Sequence, residues 1–189
     1  TKVILPRGAI ERVTSSARTV KGAPTTFALL DQTEEWIPSN GGPMLAQNIR
    51  TNTAKNGGRT LESPNAYLPG LGSVAERSAQ YAEAIASGQA KSEGLLWDHR
   101  EAPAETELAE RESLVAGLRY AYGDSSGHPD GCVIHEPPCA PGHVDLDAQV
   151  AIIWDPATDV QVARSDYLNQ ITHASDSLIA APEWKACAR

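Results

Sequence analysis

The chain has 189 residues, of which 41% are hydrophobic and 21% charged, a composition typical of a soluble globular protein with one sizeable core. Its formal net charge is −8, from 16 Lys and Arg against 24 Asp and Glu, which argues against a basic protein that coats nucleic acid. No apolar stretch is long enough to span a bilayer, the first residues do not resemble a signal peptide, and three cysteines favour a reducing cytoplasm over a disulfide framework. The chain begins at Thr1 rather than Met, as expected of a fragment or a processed product.

The first 24 residues contain two short β-like runs, at residues 3–5 and 10–14, separated by the turn residues Pro6, Arg7 and Gly8. A loop of small residues follows and carries Arg18. Such a loop can place a cation near a phosphate, or it can be an exposed polar connection.

The stretch at residues 25–36 organises the rest of the chain. Four apolar residues, Phe27 to Leu30, run without a break into Asp31, and Glu34 and Glu35 follow within one turn. A continuous apolar run predicts a central parallel strand that is buried on both faces. An acidic residue at the carboxyl end of such a strand lies where open α/β sheets bind ligands, so Asp31 is placed to hold a metal ion on a nucleotide phosphate. The alternative is a buried strand that ends at a solvated acidic turn.

The next elements alternate between helix and strand. Residues 39–56 predict a helix with Leu45 and Ile49 on one face, and residues 59–63 predict a second strand. Asn65 follows that strand and is placed to sense a γ-phosphate or an attacking water. Alternatively, it is a turn residue that bonds to its own backbone.

Ser73 and Glu76 form a capping box of the type S-x-x-E, which predicts a helix that ends near Gly88. A third apolar stretch at residues 94–97 continues the alternation that is typical of α/β proteins.

The second half predicts helices at residues 107–122 and 145–154, another from Thr158 or Asp159, and a last short one from Pro182. A Gly- and Pro-rich loop at residues 124–144 carries four side chains of the types that zinc selects: Cys132, His135, Cys139 and His143. Either this loop closes a zinc site or it is a polar insertion with reduced cysteines.

Residues 24–78 resemble the second half of the ATPase domain of the terminase large subunit of tailed, actinophage-like phages. The run F-A-L-L-D-Q-T-E-E-W at residues 27–36 is similar to the Walker B region, and E-S-P-N at residues 62–65 is similar to the coupling motif. Three later motifs are similar to the region after the ATPase core: residues 95–103, 153–156 and 167–170. Each motif is short, but their order and spacing together are fairly specific.

The resemblance implies an α/β fold: a partial P-loop NTPase-type sheet with flanking helices at residues 1–100, then a mainly helical linker toward a nuclease domain at residues 101–189. It implies that Asp31 coordinates Mg²⁺ with the ATP phosphates, that Glu34 or Glu35 is the catalytic carboxylate, and that Asn65 couples hydrolysis to movement. The predicted nucleotide site also includes Gln32, which follows Asp31, and Arg18, from the loop before the strand. Implied partners are double-stranded DNA, the portal, the small terminase subunit and further copies of the motor, in the host cytoplasm and away from membranes.

The chain departs from the family pattern in three places. The family usually has Glu directly after the Walker B aspartate, whereas this chain has Gln32, an amide that can orient a water but cannot accept its proton. No G-x-x-x-x-G-K-[ST] phosphate loop is present, and the acidic cluster of the nuclease domain is not seen. We therefore expect the middle of a terminase, inactive by itself.

Two other hypotheses remain open. One is a non-enzymatic prophage remnant or a zinc-stapled binding module, which would fold alone and bind zinc. The other is a small hydrolase of another class that uses Asp31 and Glu34 or Glu35 with His99, although no nucleophile motif supports it.

Overall fold

The computed structural model describes residues 2–13, 20, 22–91, 94–123 and 142–172. Their contacts divide the chain into two units, Thr1–Ala90 and Lys91–Arg189. The described residues form a mixed α/β structure with two small sheets and five helices.

The first unit opens with an antiparallel hairpin of strands β1 (Lys2–Leu5) and β2 (Gly8–Glu11), joined by the turn at Pro6 and Arg7. Both predicted β runs are thereby confirmed. Every residue of the two strands is exposed, so the hairpin adds little to the core.

The centre of the first unit is a β–α–β element. Strand β3 (Phe27–Asp31) is followed by helix α1 (Gly42–Lys55) and by strand β4 (Arg59–Ser63), and the two strands pair in parallel. Two single 3₁₀ turns, Thr33–Glu35 and Pro38–Asn40, connect β3 to α1. The two predicted strands and the predicted helix are confirmed. Each lies where the sequence shows the pattern that is typical of that element: apolar runs for the strands and a helical repeat for the helix.

Only one face of this parallel pair is covered in the described part of the chain. Leu30 is 0% exposed and packs in a cluster with Leu45 and Ile49 of α1 and Val74. On the opposite face three large side chains remain exposed: Phe27 (59%), Leu29 (59%) and Leu61 (54%). The predicted burial of β3 on both faces is therefore wrong for the described residues, because the helices that they form pack on one face of the strand only.

Helix α2 (Val74–Ala86) begins at the predicted cap. The Ser73 Oγ accepts a hydrogen bond from the Glu76 amide at 3.2 Å. The Glu76 carboxylate does not complete the reciprocal half of the capping box. It accepts instead from the amides of Gly70 and Gly72, at 2.8 and 2.6 Å, and so fixes the loop before the helix.

The described part of the second unit is helical and contains no strand. Its elements are α3 (Arg111–Tyr122), α4 (Leu146–Ile153) and the short α5 (Val160–Val162), which continues into a π-helical turn at Ala163–Tyr167. The core consists of seven buried residues: Ala102, Leu114, Leu118, Val150, Ile153, Ala163 and Leu168. The predicted helices are confirmed here, although α3 begins at Arg111 rather than at residue 107.

Two further predictions concern this half of the chain. Leu95, Leu96 and Trp97 do not form a third strand: they have no regular structure, and Leu96 is 91% exposed. A strand needs a neighbour to satisfy its backbone groups, and the described residues provide none at this point. The helix predicted from Pro182 lies outside the described residues.

Candidate functional site

The carboxyl ends of β3 and β4 lie side by side and form the candidate site. Asp31 is the register partner of Ser63, and the Gln32 amide donates to the Ser63 carbonyl at 3.0 Å. Both Asp31 and Ser63 are exposed. Because the strands are parallel, the chain leaves both of them at the same edge of the sheet, where α/β proteins bind ligands.

A left-handed residue turns the chain back immediately after Asp31. Gln32 has a φ of 51°, a conformation that residues other than Gly, Asn and Asp rarely adopt. Its carbonyl accepts from the Glu35 amide at 3.1 Å, and the Thr33 carbonyl accepts from Trp36 at 3.2 Å. This tight turn brings the acidic residues after Asp31 back toward the sheet edge. Strained positions of this kind cluster at functional sites.

Glu34 is the carboxylate that this turn directs inward. Its Oε2 atom is buried and has no hydrogen-bond partner in the described part of the chain. Burial raises the pKa of Glu34 above its ordinary value of 4.5; backbone amides of Glu34 and Asn65 lower the pKa, and the charges of Glu35 and Asp31 raise it. The backbone amide of Asn65 lies against the Glu34 carboxylate, and the charges of Glu35 and Asp31 act on it. A raised pKa suits a carboxylate to accept a proton, and a water could reach the buried Oε2 atom only after a rearrangement of the turn.

The residues predicted for the nucleotide site, apart from Arg18, thus lie at the carboxyl ends of β3 and β4 or in the turns that follow them. Asn65 is an exposed residue two positions beyond the end of β4, and its backbone amide lies against Glu34. Glu35 is exposed, in contrast to the half-buried Glu34. From its proximity to Asp31 the sequence favoured Glu34 over Glu35 as the base, and that assignment stays a prediction.

The donor set at this edge fits a magnesium–phosphate complex. Mg²⁺ in nucleotide sites is usually held by one or two carboxylates, with waters and phosphate oxygens completing its shell. Asp31 is an exposed carboxylate at a strand end and could supply one such ligand, whereas the Oε2 atom of Glu34 is buried. Among the described residues, no group of three His, Cys, Asp or Glu side chains is close enough to hold a metal by itself.

The loop that follows Asn65 is fixed to the same region. The Val74 amide donates to the Trp36 carbonyl at 3.0 Å, which joins the start of α2 to the segment after Glu35. Gly42 is equally constrained, because a Cβ built there would lie 2.5 Å from the Trp36 backbone. Trp36, which ends the turn that carries Glu34, is therefore fixed both by the start of α2 and by the start of α1.

Several predicted residues lie elsewhere. Arg18 and three of the four zinc candidates, Cys132, His135 and Cys139, are outside the described residues, and His143 is exposed. The arginine and zinc assignments therefore stay predictions. His99 contacts Glu101 at 3.3 Å and stacks on Trp97 within the second unit.

Sequence reasoning missed a polar bridge between three elements. Arg50 of α1 donates to the Glu62 carboxylate of β4 and to the Ser78 Oγ of α2, and Ser78 donates to Glu62 at 2.8 Å. Glu62 precedes Asn65 by three residues, so the bridge secures the end of β4. No local pattern signals it, because the partners are 12 to 28 residues apart.

Within the described part of the chain, no helix has both the length and the apolar character that are needed to cross a bilayer.

Comparison with known proteins finds similarity to two phage proteins. The chain is 30% identical over 200 residues to the Gene 13 protein of Mycobacterium phage D29, and 29% identical over 200 residues to that of Mycobacterium phage L5. Both alignments cover 95% of this chain but only 31% of the phage protein, so the chain spans about a third of the length of these relatives. The name Gene 13 protein specifies no activity. No family model matches the chain. No solved structure matches it.

Proposed function

We propose that the chain is a segment of a tailed-phage terminase large subunit, the ATP-driven motor that packages viral DNA. It would comprise the back half of a P-loop NTPase-type motor domain and the linker toward the nuclease domain. The observation that carries the proposal is the edge of the β3–β4 pair, where Asp31, Glu34 and Asn65 lie together in the order of the Walker B and coupling motifs. The similarity to phage proteins supports a phage origin.

Each residue at this edge has a distinct part in the proposed reaction. Asp31 would hold Mg²⁺, which when bound with ATP supplies positive charge against the charge that develops on the transferred phosphoryl group. Glu34 accepts the proton of the attacking water, for which its raised pKa suits it; its buried, unpartnered Oε2 atom has to become accessible to that water when the site is occupied. Gln32, an exposed amide, helps to orient that water. Asn65 responds to whether the bound nucleotide is intact or hydrolysed, and it transmits the resulting change of position to β4.

The bare face of the sheet fits a motor domain that is completed by other residues. Parallel sheets are normally covered on both faces, and two strands alone make a marginal sheet. The exposed side chains Phe27, Leu29 and Leu61 offer an apolar surface for further elements of such a domain. In this proposal, those elements include the phosphate loop that the chain lacks.

The remaining parts of the proposal follow from the resemblance. The full motor would act on double-stranded DNA, engage the portal and the small terminase subunit, and assemble from several copies in the host cytoplasm. Glu34 is the residue to change first, because it is half-buried whereas Glu35 is exposed.

The test is ATP turnover by the full-length product of the gene that encodes this chain. We expect Glu34→Gln to lower kcat by about 100-fold or more, with little change in nucleotide affinity, because general-base catalysis contributes about 10²–10⁴-fold. Glu35→Gln is the matched control and should stay within about twofold of the parent. If Glu35→Gln abolishes turnover and Glu34→Gln does not, the assigned base is wrong. If neither matters and nucleotide does not bind, a non-enzymatic module becomes the better account.

A further inference from the structure

We infer that Thr33 is a further catalytic residue and that the turn Thr33–Glu35 is in a closed form in this structure. When nucleotide binds, the turn opens, and the Thr33 hydroxyl holds the attacking water beside the Glu34 carboxylate. The inference rests on the proposed function and extends it to a residue to which the resemblance gives no role. Three features of the turn carry it: two buried oxygens without partners, a left-handed residue at its start and a fixed residue at its end.

Two neighbouring side chains of the turn each bury an oxygen without a partner. Thr33 is 0% exposed, and its Oγ1 atom has no hydrogen-bond partner among the described residues. The Oε2 atom of Glu34 is in the same state, and the described part of the first unit contains no other buried side-chain polar atom of this kind. Folded proteins leave few such groups, and a catalytic role is one of the recognised reasons for them. Two adjacent ones directly after Asp31 point to a ligand that both oxygens contact.

Thr33 is a costly residue at this position if its only role is to pack. Valine has nearly the same shape and would fill the same buried space without a hydroxyl to desolvate. Residues that lower stability in this way are expected where function needs them. A threonine hydroxyl both donates and accepts hydrogen bonds, which suits it to hold a water.

The backbone favours opening at one end of the turn and limits it at the other. Gln32 begins the turn with a φ of 51°, a left-handed conformation that costs free energy in a residue of this type and that opening would relieve. Trp36 is fixed at the other end, because its carbonyl accepts from the Val74 amide at 3.0 Å. Opening is therefore confined to the few residues between these two ends.

A ligand can open the turn only if it interacts differently with the two forms, and the contacts to Thr33 and Glu34 supply that difference. In the open form, Thr33 Oγ1 accepts a hydrogen bond from the water, whose oxygen faces the γ-phosphorus of ATP. That oxygen forms a bond to phosphorus while the bond to the β–γ bridging oxygen breaks, and ADP leaves with the electron pair of the broken bond. The proton that the water loses passes to Glu34 and then to solvent.

The first test is steady-state ATP turnover by the full-length product of the gene that encodes this chain. Thr33→Val should lower kcat at least about tenfold and leave the KM for ATP within about twofold, because it removes a contact to the reacting water. Thr33→Ser keeps the hydroxyl and should stay within about threefold of the parent. Thr53→Val is the matched control: Thr53 is equally buried, but its hydroxyl donates to the Ile49 carbonyl at 2.7 Å, and kcat should not change.

A stability measurement separates this role from a structural one. In urea without nucleotide, Thr33→Val should raise the denaturation midpoint of the 189-residue chain, although the same change lowers turnover by the full-length product. A hydroxyl that only supports the fold would lower both when it is removed. A lower midpoint in Thr33→Val, or an unchanged kcat, would refute the inference.

Hydrogen exchange followed by mass spectrometry reports the opening itself. In the closed turn, the Glu35 amide donates to the Gln32 carbonyl and the Trp36 amide to the Thr33 carbonyl. Both amides should exchange at least about threefold faster when a non-hydrolysable ATP analogue is bound to the full-length product, because these bonds open. The Val74 amide is the internal control and should not change. Unchanged or slower exchange in the turn would mean that it does not open, and would overturn the inference.

The inference and the proposed function can fail separately. If Asp31→Asn abolishes turnover and Thr33→Val does not lower it, the nucleotide site stands and the role of Thr33 is wrong. If the full-length product does not hydrolyse ATP, or if its turnover is unaffected by Asp31→Asn, the proposed function fails and the inference fails with it.

Discussion

Leu29 and Leu30 are adjacent on β3, and the structure predicts very different consequences when each is changed to Ala. Leu30 is 0% exposed and packs against Leu45, Ile49 and Val74, whereas Leu29 is 59% exposed on the bare face. Leu→Ala changes in closed cores cost about 2–5 kcal/mol of the free energy of unfolding. Full burial of a leucine is worth about 1.5–3 kcal/mol, so the covered two-fifths of Leu29 contributes at most about 1 kcal/mol. We expect Leu30→Ala to cost about 3 kcal/mol and Leu29→Ala less than about 1 kcal/mol.

The assay is urea denaturation followed through the amide resonances of α1, so that only the first unit is monitored. The slope against urea should be the same for the parent and both variants, because neither change alters the surface exposed on unfolding by much. A cost for Leu29→Ala as large as that for Leu30→Ala would refute the reasoning. It would mean that the face with Phe27, Leu29 and Leu61 is covered in the 189-residue chain.

Three further predictions concern polar groups near the candidate site. Glu76→Gln should lower the free energy of unfolding by about 1–3 kcal/mol in urea denaturation, because an amide cannot accept from both Gly70 and Gly72. Thr33→Val should raise it by about 1 kcal/mol in the same assay, because the Thr33 Oγ1 is buried without a partner; a loss of stability would indicate a bond that the structure lacks. For Glu34, the raised pKa means that its neutral form stabilises the fold below pH 4.5 and that this contribution is lost as the pH rises through the raised value. Glu34→Gln should therefore gain stability relative to the parent between pH 4 and pH 7, and an opposite trend would mean that the fold lowers the pKa of Glu34.

The elements of the first unit could be predicted because their signals are local. The apolar run of β3, the helical period of α1 and the serine cap of α2 each lie within a few residues of the element that they define. The position of Asp31 at a strand end followed directly from the first of these patterns.

Contacts between distant residues could not be predicted in the same way. Nothing in the sequence indicated that the Asn65 amide would lie against Glu34, or that Arg50 would join Glu62 to Ser78. These contacts depend on how α1 crosses between the two strands.

Burial was the least predictable property. An unbroken apolar run such as Phe27 to Leu30 is typical of a strand covered on both faces, but coverage depends on what packs against it. In the described structure only Leu30 of the four is fully buried. The exposed run at Leu95, Leu96 and Trp97 illustrates the same limit, because an apolar composition does not supply the neighbouring strand that pairing requires.

The most direct measurement for the proposed motor is steady-state Mg²⁺-dependent ATP turnover by three proteins: the full-length gene product, its Asp31→Asn variant and the 189-residue chain. The account predicts turnover by the full-length product, a loss of about 100-fold or more in Asp31→Asn, and background turnover by the chain alone. Equal turnover by the full-length product and its Asp31→Asn variant would contradict the assignment of Asp31. Turnover by the 189-residue chain would contradict the placement of the phosphate loop outside it.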